Sequence, residues 1–145
     1  MNEKTSTLRD LLPIDRLLWT LAIVQREGKH LHYSWQTLFE RQPPIDANWV
    51  EKLEDHPDDA VKLEAFVSRY GCMQDTMADK LVPRWLESLA ERTGSQIENL
   101  NRAERLGVID SAKGYTLMLI GTYNNLRNYT YERLDIEQSQ LPPSL

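Results

Sequence analysis

Apolar residues along this chain recur three or four positions apart, the spacing of one face of an α-helix. The clearest run covers residues 61–89. There Leu63, Phe66, Val67, Tyr70, Met73, Met77, Leu81, Trp85 and Leu89 form a stripe, opposite Lys62, Arg69, Asp75, Lys80, Arg84 and Glu87. The pattern predicts one long amphipathic helix, kinked at Pro83, where the ring removes a backbone donor. A helix of that length is long for an ordinary domain, which leaves one end of it free for a partner chain.

A second long helix is predicted from Ile14 to Arg41, with Leu17, Leu18, Leu21, Val24, Leu31, Trp35 and Leu38 facing inward and Gly28 as a weak point. Pro43 and Pro44 end it. Asp46 can cap a short helix over residues 47–54 that contributes Trp49, Val50 and Leu53. The acids of residues 55–59 suit the start of the long stripe helix. That helix should close near Thr93, with Gly94 in the left-handed position beyond its last turn. Ser95 and Glu98 have capping-box spacing, which opens a further short helix closed by Gly107. Asp110 or Ser111 can start the last helix, with Ala112, Tyr115, Leu119, Tyr123 and Leu126 inward. Residues 1–7 and 137–145 are polar and expected to be flexible tails. No alternating strand pattern occurs. The expected fold is all-α, an up-and-down bundle of four or five helices in a single domain spanning residues 1–145.

Composition narrows the function. The 145 residues carry 22 acids against 17 lysines and arginines, a net charge of −5. This argues against broad non-specific nucleic-acid binding while leaving room for a local basic site. No apolar run approaches the roughly 18 residues needed to span a membrane, and the polar start is unlike a signal peptide, so a soluble, cytoplasmic protein is expected. The single cysteine, Cys72, cannot form an internal disulfide and reads as a small buried thiol. His30 and His32 lie on different sides of their helix and His56 sits in a proline turn, so no histidine metal site is expected. Asp75 and Asp79 share a face, but two carboxylates alone read better as bonds to a neighbouring helix or to Lys80. No metal and no cofactor are implied.

Residues 121–134, "GTYNNLRNYTYERL", differ in kind from the rest. Three tyrosines, three asparagines and two arginines crowd one helix end, too polar and aromatic for a simple core face. Tyr123, Arg127 and Tyr131 are spaced four apart, so the guanidinium can lie between two rings. It can instead grip a phosphate through its forked donors, with Asn124 and Asn128 serving a sugar or base. With Arg102, Arg105, Lys113 and Arg133, the stretch from Asn101 to Arg133 is mildly basic in an acidic protein. A hydrogen-bonded helix end or a dimer seam would account for the same composition.

The order of "RYGCMQDTMADKL", "NLNRAERLG" and "LRNYTYE" along the chain resembles the HEPN superfamily, most closely the HepT-like toxins and the related nucleotidyltransferase substrate-binding proteins. The likeness spans residues 11–134. It implies a helical bundle that forms a homodimer, with the last helices of both subunits bordering a cleft. In active members that cleft cuts RNA without a metal, through an arginine and a histidine separated by four residues. A tyrosine two positions after the histidine is, in some members, modified with AMP by a partner nucleotidyltransferase, which acts as the antitoxin.

This chain departs from that motif. Aligned on "LRN", Arg127 takes the arginine position and Glu132 the histidine position. Aligned on the tyrosines, Tyr129 takes the histidine position, Tyr131 the modified tyrosine and Asn124 the arginine. Neither alignment supplies both catalytic residues. A glutamate is a poor general acid at neutral pH, and a tyrosine has the opposite fault as a base. The expectation is a HEPN-fold, toxin–antitoxin-related protein with a degenerate ribonuclease motif. It would act as a nucleotide- or RNA-binding or regulatory subunit beside a minimal nucleotidyltransferase, with Asn124, Asn128, Arg127 and Arg102 as binding residues. Two alternatives remain open: a metal-independent ribonuclease using Arg127 with Glu132 or Tyr129, and a purely structural helical dimer.

Overall fold

A computed structural model of the protein describes residues 12–40, 45–109, 119–134 and 136–145. The described residues form helices joined by short turns, with no strand among them. In chain order these are α1 (Pro13–Phe39), α2 (Ala47–Glu51), α3 (Pro57–Thr76), α4 (Val82–Ser88), α5 (Gln96–Arg105) and α6 (Leu119–Arg133). The all-α class predicted from the periodicity is therefore present. The predicted starts of the last helix, at Asp110 or Ser111, and its predicted inward residues Ala112 and Tyr115, lie outside the described residues, as do residues 1–7.

Helix α1 runs through Gly28 without a break and is the central post of the bundle. Four cross-links fix its direction against α3 and α4. Arg69 donates to the Ser34 hydroxyl at 2.6 Å, Thr76 to Glu27 at 2.8 Å and Arg84 to Thr20 at 2.7 Å, while Arg16 pairs with Glu87 at 3.8 Å. As one partner's number rises the other's falls, so α1 is antiparallel to the α3–α4 pair. Between them lies the core: Leu17, Leu21 and Val24 from α1, and Met77, Leu81 and Trp85 from the other side, all fully buried. Leu100 and Ala103 of α5 and Leu119, Tyr123 and Leu126 of α6 close it.

The predicted single helix over residues 61–89 is interrupted by a π-turn at Met77–Leu81, in which the Val82 N–H reaches back five residues to the Met77 carbonyl. Pro83 is the cause. It has no N–H to give the residue 79 carbonyl, and its ring would crowd that oxygen in a regular α-turn; widening the preceding turn relieves both. The helix then stops at Ser88, before the predicted Thr93, and Ala90 rather than Gly94 holds the left-handed conformation, at φ 57°. Gly94 instead lies against the Glu98 carboxylate, which accepts from the Ser95 N–H at 2.7 Å in the predicted capping box, so a Cβ there would push that carboxylate aside. Asp46 caps α2 as expected, accepting from the Trp49 N–H at 2.9 Å, although the α-helix ends at Glu51 and a 3₁₀ turn covers Leu53–Asp55. Gly107, at φ 76°, closes α5, with the Val108 N–H reaching back to the Ala103 carbonyl.

Two expectations about burial are corrected. The first half of α3 is only loosely covered, with Val67 60 % exposed on the side turned away from α1. Cys72 is exposed rather than a buried thiol, since it falls on the solvent side of the stripe. Asp79 does bond a neighbouring helix, accepting from the Gln96 side chain at 3.3 Å. No group of three or more potential metal ligands occurs among the described residues, and no helix of the described chain is long and apolar enough to cross a membrane.

Candidate functional site

Helix α6 places its polar residues on two sides. Tyr123, Leu126, Arg127 and Thr130 are buried, whereas Asn125, Asn128, Tyr131 and Glu132 are exposed. The buried side meets residues 136–145, which run back along α6 instead of hanging free. The expectation of a flexible segment over 137–145 is thus corrected, and the reason is the same polar cluster that marked α6 in the sequence. The Arg127 Nε–H donates to the Pro142 carbonyl at 2.6 Å. The Tyr123 hydroxyl donates to the Pro143 carbonyl at 2.8 Å. The Asn124 amide bonds Leu145 twice: its Nδ2 donates to the main-chain O at 3.0 Å and its Oδ1 accepts from the main-chain N–H at 2.9 Å. Leu141 is buried in the core, and the Leu145 side chain rests on α1 where Gly28 leaves room; any Cβ at Gly28 would strike it.

Arg127 is 9 % exposed, and its Nη1 also donates to the Asn128 Oδ1 at 3.2 Å. It does not lie between Tyr123 and Tyr131. The guanidinium found near a ring in this region is that of Arg133, 5.7 Å from the centre of Tyr129. Tyr129 in turn packs edge-on to Trp85, with ring centres 5.1 Å apart. Burial pushes the Tyr123 phenol well above its usual range, against the opposing charge of Arg127, so it is a neutral donor at any ordinary pH.

The sequence-predicted residues are therefore divided. Arg127 and Asn124 are engaged by the strap of residues 141–145. Tyr129, half-buried, is packed on the fully buried Trp85. Glu132 and Tyr131 face solvent beside a broad hollow of about 630 Å³ that includes Arg133, Ile136 and Glu137. Arg102 stands elsewhere, at the end of α5, where it shares an open hollow of about 430 Å³ with Arg92, Arg105, Glu91 and Leu106. Three guanidinium groups around one acid make this concavity cationic. Part of that clustering is structural, because cations in the last turn of α5 also complement its carbonyl end.

The strap residues Pro142, Pro143 and Leu145, together with Gly28, were not read as site residues from the sequence. The available signals were a glycine in an otherwise strong helix and a proline pair, whose extended backbone makes no internal hydrogen bonds and must find them elsewhere. No protein-family model, curated protein or solved structure matches the chain.

Proposed function

We propose that the protein is a non-catalytic binding or regulatory subunit on a HEPN-like bundle. In this reading it holds RNA or nucleotide without cutting it and works as a homodimer beside a minimal nucleotidyltransferase. The observation that carries this reading is the division of the arginines. Arg127, the residue aligned with the family's catalytic arginine, is buried with its Nε on the Pro142 carbonyl, while Glu132 faces solvent. A guanidinium in that position cannot neutralise a phosphodiester that Glu132 would act on, because a general acid or base must reach the same reacting atoms. Arg102, Arg92 and Arg105 instead surround an open hollow wide enough for a phosphate-bearing ligand. Tyr131 is 44 % exposed, which suits a side chain that a nucleotidyltransferase would modify with AMP.

The test is titration with short RNA and with ATP, alongside incubation of RNA without metal. Saturable binding and intact RNA are expected. The double variant Arg102→Ala/Arg105→Ala should bind at least about tenfold more weakly, since each charged hydrogen bond contributes about 1.5–3 kcal/mol. Metal-free cutting that Arg127→Ala abolishes would establish the ribonuclease alternative instead. Absence of any binding would leave a structural dimer. That alternative draws support from a ring series of exposed His32, Trp35 and Phe39 continued by half-buried Phe66 and Tyr70, whose successive centres lie 5.2–6.2 Å apart.

A further inference from the structure

The strap is held in a way that does not depend on its being part of the same chain. Its four hydrogen bonds with Tyr123, Asn124 and Arg127 all involve backbone atoms of residues 142–145, three as acceptors and the Leu145 N–H as donor. Side-chain burial in the strap comes from Leu141, which enters the core, and from Leu145, which fills the bare patch on α1 at Gly28. Glycine in the middle of a 27-residue helix is unfavourable by about 1 kcal/mol relative to alanine; here it opens the seat for one apolar side chain. The two prolines preset an extended backbone and present unpaired carbonyls, which is the logic of polyproline recognition.

The donor set also selects among ligand classes. Arg127 and Tyr123 would serve a phosphate as readily as a carbonyl. Asn124 would not, because it gives one hydrogen bond and takes another across a single residue, and a phosphodiester has no N–H to offer its Oδ1. A nucleobase edge can also give and take, but here one residue's main-chain N–H and O satisfy Asn124 while Arg127 and Tyr123 hold the two preceding proline carbonyls, a spacing that points to an extended peptide.

We propose that the groove between α1 and α6 is a recognition site for an extended Pro-Pro-x-Leu peptide, which the chain's own residues 142–145 fill in cis and which the same motif on a partner protein can fill in trans. The strap then acts as a built-in competitor. A tethered segment experiences an effective concentration on the order of millimolar, so a partner peptide must be abundant, multivalent or better fitting to displace it.

The probe is a fluorescein-labelled peptide of sequence EQSQLPPSL, titrated by anisotropy against two full-length proteins. One is the wild type; the other carries Pro143→Gly/Leu145→Asp, which puts a carboxylate on the apolar seat and loosens the strap. Saturable binding to the loosened protein, at least about tenfold tighter than to the wild type, is expected. Adding Asn124→Ala to the loosened protein should remove it. Should the double variant lose its helical circular dichroism, hydrogen exchange of the wild type replaces it, with excess unlabelled peptide expected to deprotect residues 141–145. The proposal is overturned if a helical loosened protein shows no binding, if binding survives Asn124→Ala, or if excess peptide leaves the wild-type strap protected. It is equally overturned if the loosened groove takes short RNA in place of the peptide and loses it on Arg127→Ala, which would make the site a phosphate site beneath a cover.

Discussion

Replacing Arg127 by alanine separates an anchor from a phosphate grip, and the structure sets the size of the effect. The variant loses a charged donor that meets the Pro142 carbonyl at 2.6 Å in a setting where the side chain is only 9 % exposed. Hydrogen bonds from charged donors contribute about 1.5–3 kcal/mol when little water competes. The buried aliphatic stem adds packing that alanine does not replace. Against this, Pro142 lies near the surface and its carbonyl can recover some hydration. Among the described residues no acid pairs with Arg127, so removing it strands no opposite charge. The net cost should be about 2 kcal/mol, which for a domain of this size lowers the melting temperature by roughly 6–8 °C. Lysine at the same position keeps the charge but has no Nε to meet the carbonyl, and should recover less than half of the loss. Thermal melts by circular dichroism, with hydrogen exchange over residues 141–145, provide the readout. The anchor account requires faster exchange in the strap, a lower melting temperature and an unchanged affinity for short RNA. A melting temperature within about 1 °C of the wild type, or a tenfold loss of RNA affinity with the strap still protected, would refute it.

Three further outcomes are expected. Ser95→Ala removes one arm of the capping box at α5, where the Ser95 Oγ accepts from the Glu98 N–H at 3.3 Å, and should cost about 1 kcal/mol, read as a lower urea midpoint at unchanged slope; an unchanged midpoint would count against the cap. Gly28→Ala should raise helix stability by about 1 kcal/mol while its methyl unseats Leu145, so the global melt should hold or rise as exchange in residues 141–145 accelerates, and a strap that stays protected would contradict the seat. Glu27 is held above the usual carboxylate range by burial, which outweighs the Thr76 hydrogen bond and the Lys80 charge. A raised carboxyl pKa means the folded state favours the protonated form, so its stabilising contribution is present below about pH 4 and is lost as pH rises through the raised value. Glu27→Gln, which stays neutral, should therefore stabilise the protein at neutral pH and lose that advantage in acid; an equal gain at both would point to another cause.

The helices were legible because their signals are local. Three- and four-residue spacing places Leu17, Leu21 and Val24 against Met77, Leu81 and Trp85, and Ser95 with Glu98 marks the start of α5 within four residues. Pro83 was legible as a disturbance but not as a π-turn one turn earlier, because the pattern of apolar residues continues through it and a sequence shows no backbone registry. Gly94 misled in the same way: a glycine beyond a helix suggests a left-handed cap, yet Ala90 takes that conformation and Gly94 sits beside the Glu98 carboxylate, which only the packed geometry shows. Val67 was misplaced because a stripe says which side is apolar, not how fully a neighbour covers it, and Cys72 because a small residue beside the stripe can still face solvent.

The polar face of α6 shows a deeper limit. Its composition announced an unusual surface, but a helix face rich in Tyr, Asn and Arg looks alike whether it awaits a phosphate, a partner or its own chain. What decides among these lies 15 to 21 residues away, in an irregular segment without periodicity. Within the cluster the arginine, which drew the functional reading, is the least discriminating member, since it donates to any oxygen. Asn124 discriminates, because an amide that both gives and takes can be satisfied by a peptide unit and not by a phosphodiester. For a helix end of this kind, the residue with an acceptor to satisfy identifies the class of partner better than the residue that carries the charge.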